Sequence, residues 1–210
     1  MSNLQYTLVT DGSSDRALMP IIDWSIRLQG HPYVIQSAWA DFGPFRVKPR
    51  SLTEKLSLAV ELYPCNLLFV HRDCETSSVA ARQQEISNAV LSAFPKEKDR
   101  PVVCVVPQRM TEAWLLLDED VIRQASGNPR GRSPLSIPKL KDLEKLPDPK
   151  DKLFSLLKTA SELQGRRLRN LNVHRMVHRV SELIDDFSPL KNLPAFSEFE
   201  KQLVGALKSL

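Results

Sequence analysis

Asn66-Leu-Leu-Phe-Val-His-Arg-Asp-Cys-Glu75 is the stretch that decides how this chain is read. Asn66 to Val70 is a short apolar run, bounded by Pro64 on one side and by an abrupt change to charge on the other. Its length, with Phe69 and Val70 inside it, predicts a strand buried on both faces rather than a helix. Asp73 and Glu75 stand at its carboxyl end, two residues apart. If the chain stays extended there, the two-residue period sends both side chains the same way. Open α/β sheets place their chemistry just beyond the carboxyl ends of such strands. Neighbouring anions repel each other, and a divalent cation is the common remedy. A strand ending in an ordinary polar turn is the plain alternative, and the rest of the chain weighs against it.

Outward from this stretch the same unit recurs. Tyr6 to Thr10 reads as a first strand, followed by Asp11-Gly-Ser-Ser-Asp15 and an amphipathic run from Ala17 to Ile26. Gly12 permits a tight turn, Ser13 or Ser14 can cap a helix, and Asp15 suits a helix amino terminus. Capping accounts for Asp15 better than for Asp11, which lies before the cap. Tyr33 to Ala40 predicts a second strand, Phe42 to Pro49 a loop, and Ser51 to Leu62 a helix. Ser77 to Phe94 predicts another helix, Lys96 to Arg100 a charged turn, and Pro101 to Pro107 a further apolar strand. Gln108 or Thr111 then opens a helix with Glu112 in its first turn. This alternation predicts an α/β, Rossmann-like fold: a mostly parallel sheet of about four strands flanked by helices. Asp11, Asp73 and Glu112 each fall at a strand-to-helix junction of that one sheet.

The composition changes from Ser126 onward. Gly127 to Pro134 is a turn-rich basic loop, and helices are expected over about Lys150–Leu163, Asn172–Ile184 and Phe196–Leu210. Residues 1–125 therefore read as the α/β domain and 126–210 as a helical C-terminal extension packed on it. The run from Gly165 to Arg179 carries Arg166, Arg167, Arg169, Arg175 and Arg179 without one carboxylate. It is either a solvated face or a surface for phosphates. His174 and His178 have helical spacing but no intervening acid of the H-E-x-x-H kind, so no metal role is assigned to them.

A charged fraction of 26% is ordinary for a globular chain, and a net charge of +4 mildly favours an anionic partner. No apolar run approaches the roughly 20 residues that span a bilayer, and the first residues lack signal-peptide character. Cys65, Cys74 and Cys104 are scattered and odd in number, which argues against disulfides and a zinc site. A cytoplasmic setting, with no membrane association, is the expectation.

In order, these motifs resemble the Toprim fold of topoisomerases, primases and OLD-type (overcoming lysogenization defect) nucleases. Asp11-Gly12 stands where that family has Glu-Gly, and Asp73-Cys-Glu75 where it has Asp-x-Asp. The chain is also similar to small bacterial Toprim-like proteins whose later motif reads roughly E-A-W-L-x-x-D. Glu112-Ala-Trp-Leu-Leu-Leu-Asp118 matches it, and Pro194-Ala-Phe196 matches a Pro-x-Phe near the end. The resemblance covers residues 6 to 118 well and the tail thinly. Both departures, Asp11 for Glu and Glu75 for Asp, keep the charge but alter reach, which bears on positioning more than on metal binding.

The resemblance implies a metal-dependent phosphodiesterase, that is, a nuclease hydrolase. Asp73 and Glu75 would hold Mg²⁺ or Mn²⁺, and Asp11 or Asp15, with Glu112, would complete or bridge a second ion. Asp11, Asp73 and Glu112 are the expected catalytic set. Arg72, Arg109 and the arginines after Gly165 would hold a DNA or RNA backbone. OLD-type nucleases work with an ATPase, and this chain has no G-x-x-x-x-G-K-[ST] loop. An ATPase partner in trans, within a phage-defence pair, is what the resemblance suggests. Two other classes stand beside it: a non-catalytic Toprim-like module that binds nucleic acid or a partner protein, and a phosphotransferase or phosphatase with Asp73 as nucleophile. The latter leaves Glu112 without a role.

Overall fold

Leu67 and Phe69 face one hydrophobic core and Leu68 and Val70 face a second, so the strand containing them is covered on both sides. That strand is β3 (Leu67–His71), and every residue in it is buried. The structure, a computed structural model, describes residues 2–30, 32–95 and 100–210. With β1 (Ser2–Val9), β2 (Tyr33–Trp39) and β4 (Val102–Val105), β3 forms a four-stranded sheet in the order β2-β1-β3-β4, parallel throughout. The fold is thus α/β with an all-parallel, Rossmann-like sheet flanked by helices. The connections reverse direction between β1 and β3, and at that switch point their carboxyl ends are paired through Val9 and Val70.

β1 begins four residues earlier than its apolar core suggests. Its first residues pair along β2 despite being polar, because Gln5 and Gln36 exchange a side-chain hydrogen bond of 2.7 Å across the strands. On one face lie α2 (Leu52–Leu62) and α3 (Val79–Ala93), which bury Leu56, Ala59, Ile86 and Ala89. Ser51 and Ser78 cap them, accepting the backbone N–H groups of Glu54 and Ala81. The other face is covered by α1 (Met19–Leu28) and by helices from the second half of the chain.

Those later helices are α4 (Glu119–Ala125), α5 (Pro149–Ser161), α6 (Gly165–Arg169), α7 (Val173–Leu183) and α8 (Pro194–Lys208). All of them except α6, which buries no residue, share one continuous core with β1, β3 and β4. Gln202 of α8 accepts the backbone N–H of Cys104, closing part of the open edge of β4. The segment after β4 differs from the expected α-helix. Thr111–Leu115 is a 3₁₀ turn, and the chain breaks before Asp118, whose carboxylate caps α4 by accepting from Asp120 and Val121. The charged turn expected at Lys96–Arg100 falls largely on residues 96–99, outside those described. Among the described residues, no helix is long and apolar enough to cross a membrane.

Candidate metal centre

His71 is the last residue of β3 and is 1% exposed. Its Nδ1 lies 2.9 Å from the carbonyl oxygen of Val105 on the neighbouring strand. A carbonyl only accepts, so Nδ1 carries a proton and the ring is held in a fixed plane. In the neutral ring this leaves the Nε2 lone pair pointing beyond the sheet edge. There it meets Asp73 Oδ1 at 3.4 Å and Asp15 Oδ2 at 3.8 Å.

The pairing of His71 with Asp73 follows from the two-residue period of an extended chain, applied one step earlier than the sequence reading applied it. Asp73 is fixed from β4's side, accepting the backbone N–H of Thr111 at 2.9 Å. The Thr111 hydroxyl has Nε2 of His71 at 3.3 Å and Asp73 Oδ1 at 3.5 Å as acceptors for its single proton. Asp15 comes from the 3₁₀ turn Ser13–Leu18 that leads into α1. One of its oxygens accepts the Gly12 N–H at 3.0 Å, as the capping reading expected, while the same carboxylate faces the histidine.

Asp15, His71 and Asp73 offer donor atoms within 4.8 Å of one another, and among the described residues they are the one such group of three or more. Ligands around an octahedral dication at roughly 2.1 Å stand about 3 to 4 Å apart, so small side-chain rotations would close this set on an ion. The donor set fits a divalent metal. Burial raises the Asp73 carboxyl above its ordinary range, His71 opposes that, and the charge of Asp15 adds to it. Glu112, 4% exposed, is raised by burial first, with the charges of Asp73 and Asp15 adding to the shift and Lys150 opposing it. Lys150, from the start of α5, lies 3.9 Å from Glu112.

Three of the expected ligands, Asp11, Glu75 and Glu112, lie outside this group. Glu75 adopts a left-handed conformation with φ of 51°, which ends the extended path needed to send it alongside Asp73. Its side chain is 63% exposed and faces Arg82 at 3.6 Å. Arg109 is left-handed as well, with φ of 73°. The two loops clamp each other: Glu75 N–H donates to the Arg109 carbonyl at 2.9 Å, and Arg109 Nη1 donates to the Glu75 carbonyl at 3.1 Å. Such non-glycine conformations cost about 1–3 kcal/mol each and gather at functional sites.

Asp11 lies near enough for its charge to bear on Asp73, but its own oxygens are occupied by Lys55 and Arg72. Burial opposes its ionisation, and those two cations outweigh it and lower the Asp11 carboxyl. Arg72 also pairs with Glu85 at 2.9 Å, so it is held among carboxylates rather than presented to solvent. Arg166, Arg167, Arg169, Arg175 and Arg179 are all exposed, on α6 and α7. His178 of α7 is lowered by burial and by nearby Arg16, with Glu182 and Asp15 opposing the shift. His174 packs edge-on against Phe154, with ring centroids 5.1 Å apart.

His71 is the member of this cluster that the sequence reading passed over. The signal was present, since it stands two residues before Asp73 on a strand correctly identified as buried. No family model, curated protein or solved structure matches the chain.

Proposed function

We propose that the protein is a divalent-cation-dependent phosphodiesterase acting on nucleic acid. The observation that carries this reading is the convergence of Asp15, His71 and Asp73 at the switch point of a parallel sheet. A cation held there would polarise a phosphate oxygen and acidify a bound water. Asp15 and Asp73 supply hard oxygen donors and His71 a nitrogen, a mixed set that moves preference from Mg²⁺ toward Mn²⁺. Glu112, buried beside the cluster with a raised pKa, is suited to take up a proton from the attacking water. Lys150, partly exposed and 3.9 Å from Glu112, balances the charge there and is the cation this reading assigns to an incoming phosphate. The exposed arginines of α6 and α7 supply a basic surface beyond the centre.

In this reading Asp11 and Glu75 shape the site's rim rather than ligate, and one cation rather than two is held by the buried cluster. The occupied oxygens of Asp11 favour a second reading, a module that binds nucleic acid or a partner without cutting. The resemblance to OLD-type nucleases adds the proposal of an ATPase partner in a phage-defence system.

Cleavage of labelled DNA and RNA with Mn²⁺, with Mg²⁺ and with EDTA tests the proposal, alone and with an ATPase encoded beside it. Mn²⁺-dependent cutting should fall by about a thousandfold in Asp73→Asn, which keeps the acceptor for Thr111 but removes the charge. Equal cutting by the variant refutes the role of Asp73. Absence of cutting by the wild type under every condition favours the binding module.

A further inference from the structure

The connection from β2 to α2, residues 40–51, is longer than the few residues such a crossing needs. It carries Arg46, Lys48 and Arg50 against a single acid, Asp41. That acid is used to shape the loop, its Oδ1 accepting the Gly43 N–H at 2.8 Å. A side chain at Gly43 would meet the same oxygen at 2.9 Å, so Asp41 would have to shift to admit one. The loop closes over the end of β1 and leaves a cleft of about 420 Å³. Trp39, Phe42, Lys48, Arg50, Lys55 and Asp11 are among its walls. Clefts of this size hold ligands no larger than a nucleotide or two.

The walls are unequal in what they have left to offer. Lys55 is engaged by Asp11 at 3.1 Å and by the Thr10 and Asp11 carbonyls. Lys48 and Arg50 are exposed, and among the described residues no acid pairs with either side chain. Trp39 is half-buried and locked: its Nε1–H donates to Thr10 Oγ1 at 3.0 Å, and that hydroxyl donates onward to the Gly12 carbonyl at 2.8 Å. A fixed aromatic wall beside two free cations is the chemistry that takes a base on the ring and its phosphate on the charges.

We infer that this cleft is a subsite for single-stranded nucleic acid, taking one unpaired base against Trp39 and the adjoining phosphate against Lys48 and Arg50. The inference rests on the phosphodiesterase reading in one respect: the strand would leave the cleft past Asp11 toward the cation centre. A base still stacked in a duplex cannot enter, which makes the cleft selective for unpaired strands or frayed ends.

Binding of a short fluorescein-labelled single-stranded oligonucleotide, followed by anisotropy in EDTA over a series of salt concentrations, tests this. Without divalent cation the result is independent of whether the protein cuts anything. Lys48→Glu with Arg50→Glu, both at exposed positions, should weaken binding at least tenfold and reduce the slope of log K against log salt by about 0.7, the share of one phosphate. Trp39→Leu should weaken it by roughly tenfold with the slope unchanged, and Trp39→Phe should bind nearly as the wild type does. The same oligonucleotide annealed to its complement should bind more weakly and respond little to Trp39→Leu. Unchanged affinity in the double charge reversal, or equal loss on duplex and single strand, overturns the proposal. Competition by 5′-AMP as tight as that by the oligonucleotide would mark a free-nucleotide site and overturn it as well.

Discussion

Asp73 carries a cost that the fold alone does not repay. Its carboxyl and that of Glu112 are raised, in both cases chiefly by burial. Acids raised in the folded state contribute stability that is fully present below their unfolded values of about 4, and lost as pH rises through the folded values. Near neutral pH the cation-free protein therefore holds these charges at a loss, and a dication that binds the ionised forms removes it. Asp73→Asn should accordingly melt higher than the wild type in EDTA near neutral pH, by up to a few degrees, with the difference vanishing as the pH falls below about 4. The same substitution should cancel the rise in Tm that Mn²⁺ gives the wild type. Thermal melts across that pH range, with and without Mn²⁺, read both effects. A variant that melts lower than the wild type in EDTA at neutral pH would make Asp73 a structural residue.

Among the elements, the 3₁₀ turn Thr111–Leu115 does the most for its length. It delivers the N–H of Thr111 to Asp73 and carries Glu112, while Trp114 points the other way into the core. Trp114 meets Phe196 of α8 edge-on, with centroids 5.1 Å apart, and Phe199 at 6.1 Å. The E-A-W-L and Pro-x-Phe motifs thus touch across the core. Phe196 is fully buried, so Phe196→Ala should cost about 3–5 kcal/mol and loosen the turn that presents Thr111 and Glu112. Chemical denaturation measures the first effect and Mn²⁺ affinity the second. A cost under about 1 kcal/mol would mean that α8 does not brace the site. From sequence, Trp114 and Phe196 were visible as motif residues, but no local pattern says which distant rings meet. The strands were legible because their apolar runs are short and end in Asp or Pro. Asp73's place followed from β3, whereas Glu75's did not. The left-handed turn that removes it is held by a backbone bond to the Arg109 carbonyl and by the Arg109 guanidinium donating to the Glu75 carbonyl, contacts invisible in either segment alone.

Across the whole molecule, the order β2-β1-β3-β4 gathers the site from segments far apart in the chain. β1's following turn gives Asp15, the end of β3 gives His71, the residues just after it give Asp73, and the segment after β4 gives Thr111 and Glu112. The later helices add Lys150 from α5, and α6 and α7 carry the exposed arginines. The charge run of the tail is readable as charge, but the docking of α7 depends on a core shared by both halves of the chain. Everything functional in this arrangement depends on one claim, that the buried cluster binds a divalent cation through His71 as well as the carboxylates. Pulsed electron paramagnetic resonance on the protein with one equivalent of Mn²⁺ tests it most directly, because a bound imidazole imprints its ¹⁴N coupling on the manganese signal. The wild type should show that coupling, and His71→Asn, whose amide can still donate to the Val105 carbonyl, should lose it. A spectrum of fully hydrated Mn²⁺, or a ¹⁴N coupling that survives in His71→Asn, would contradict the account.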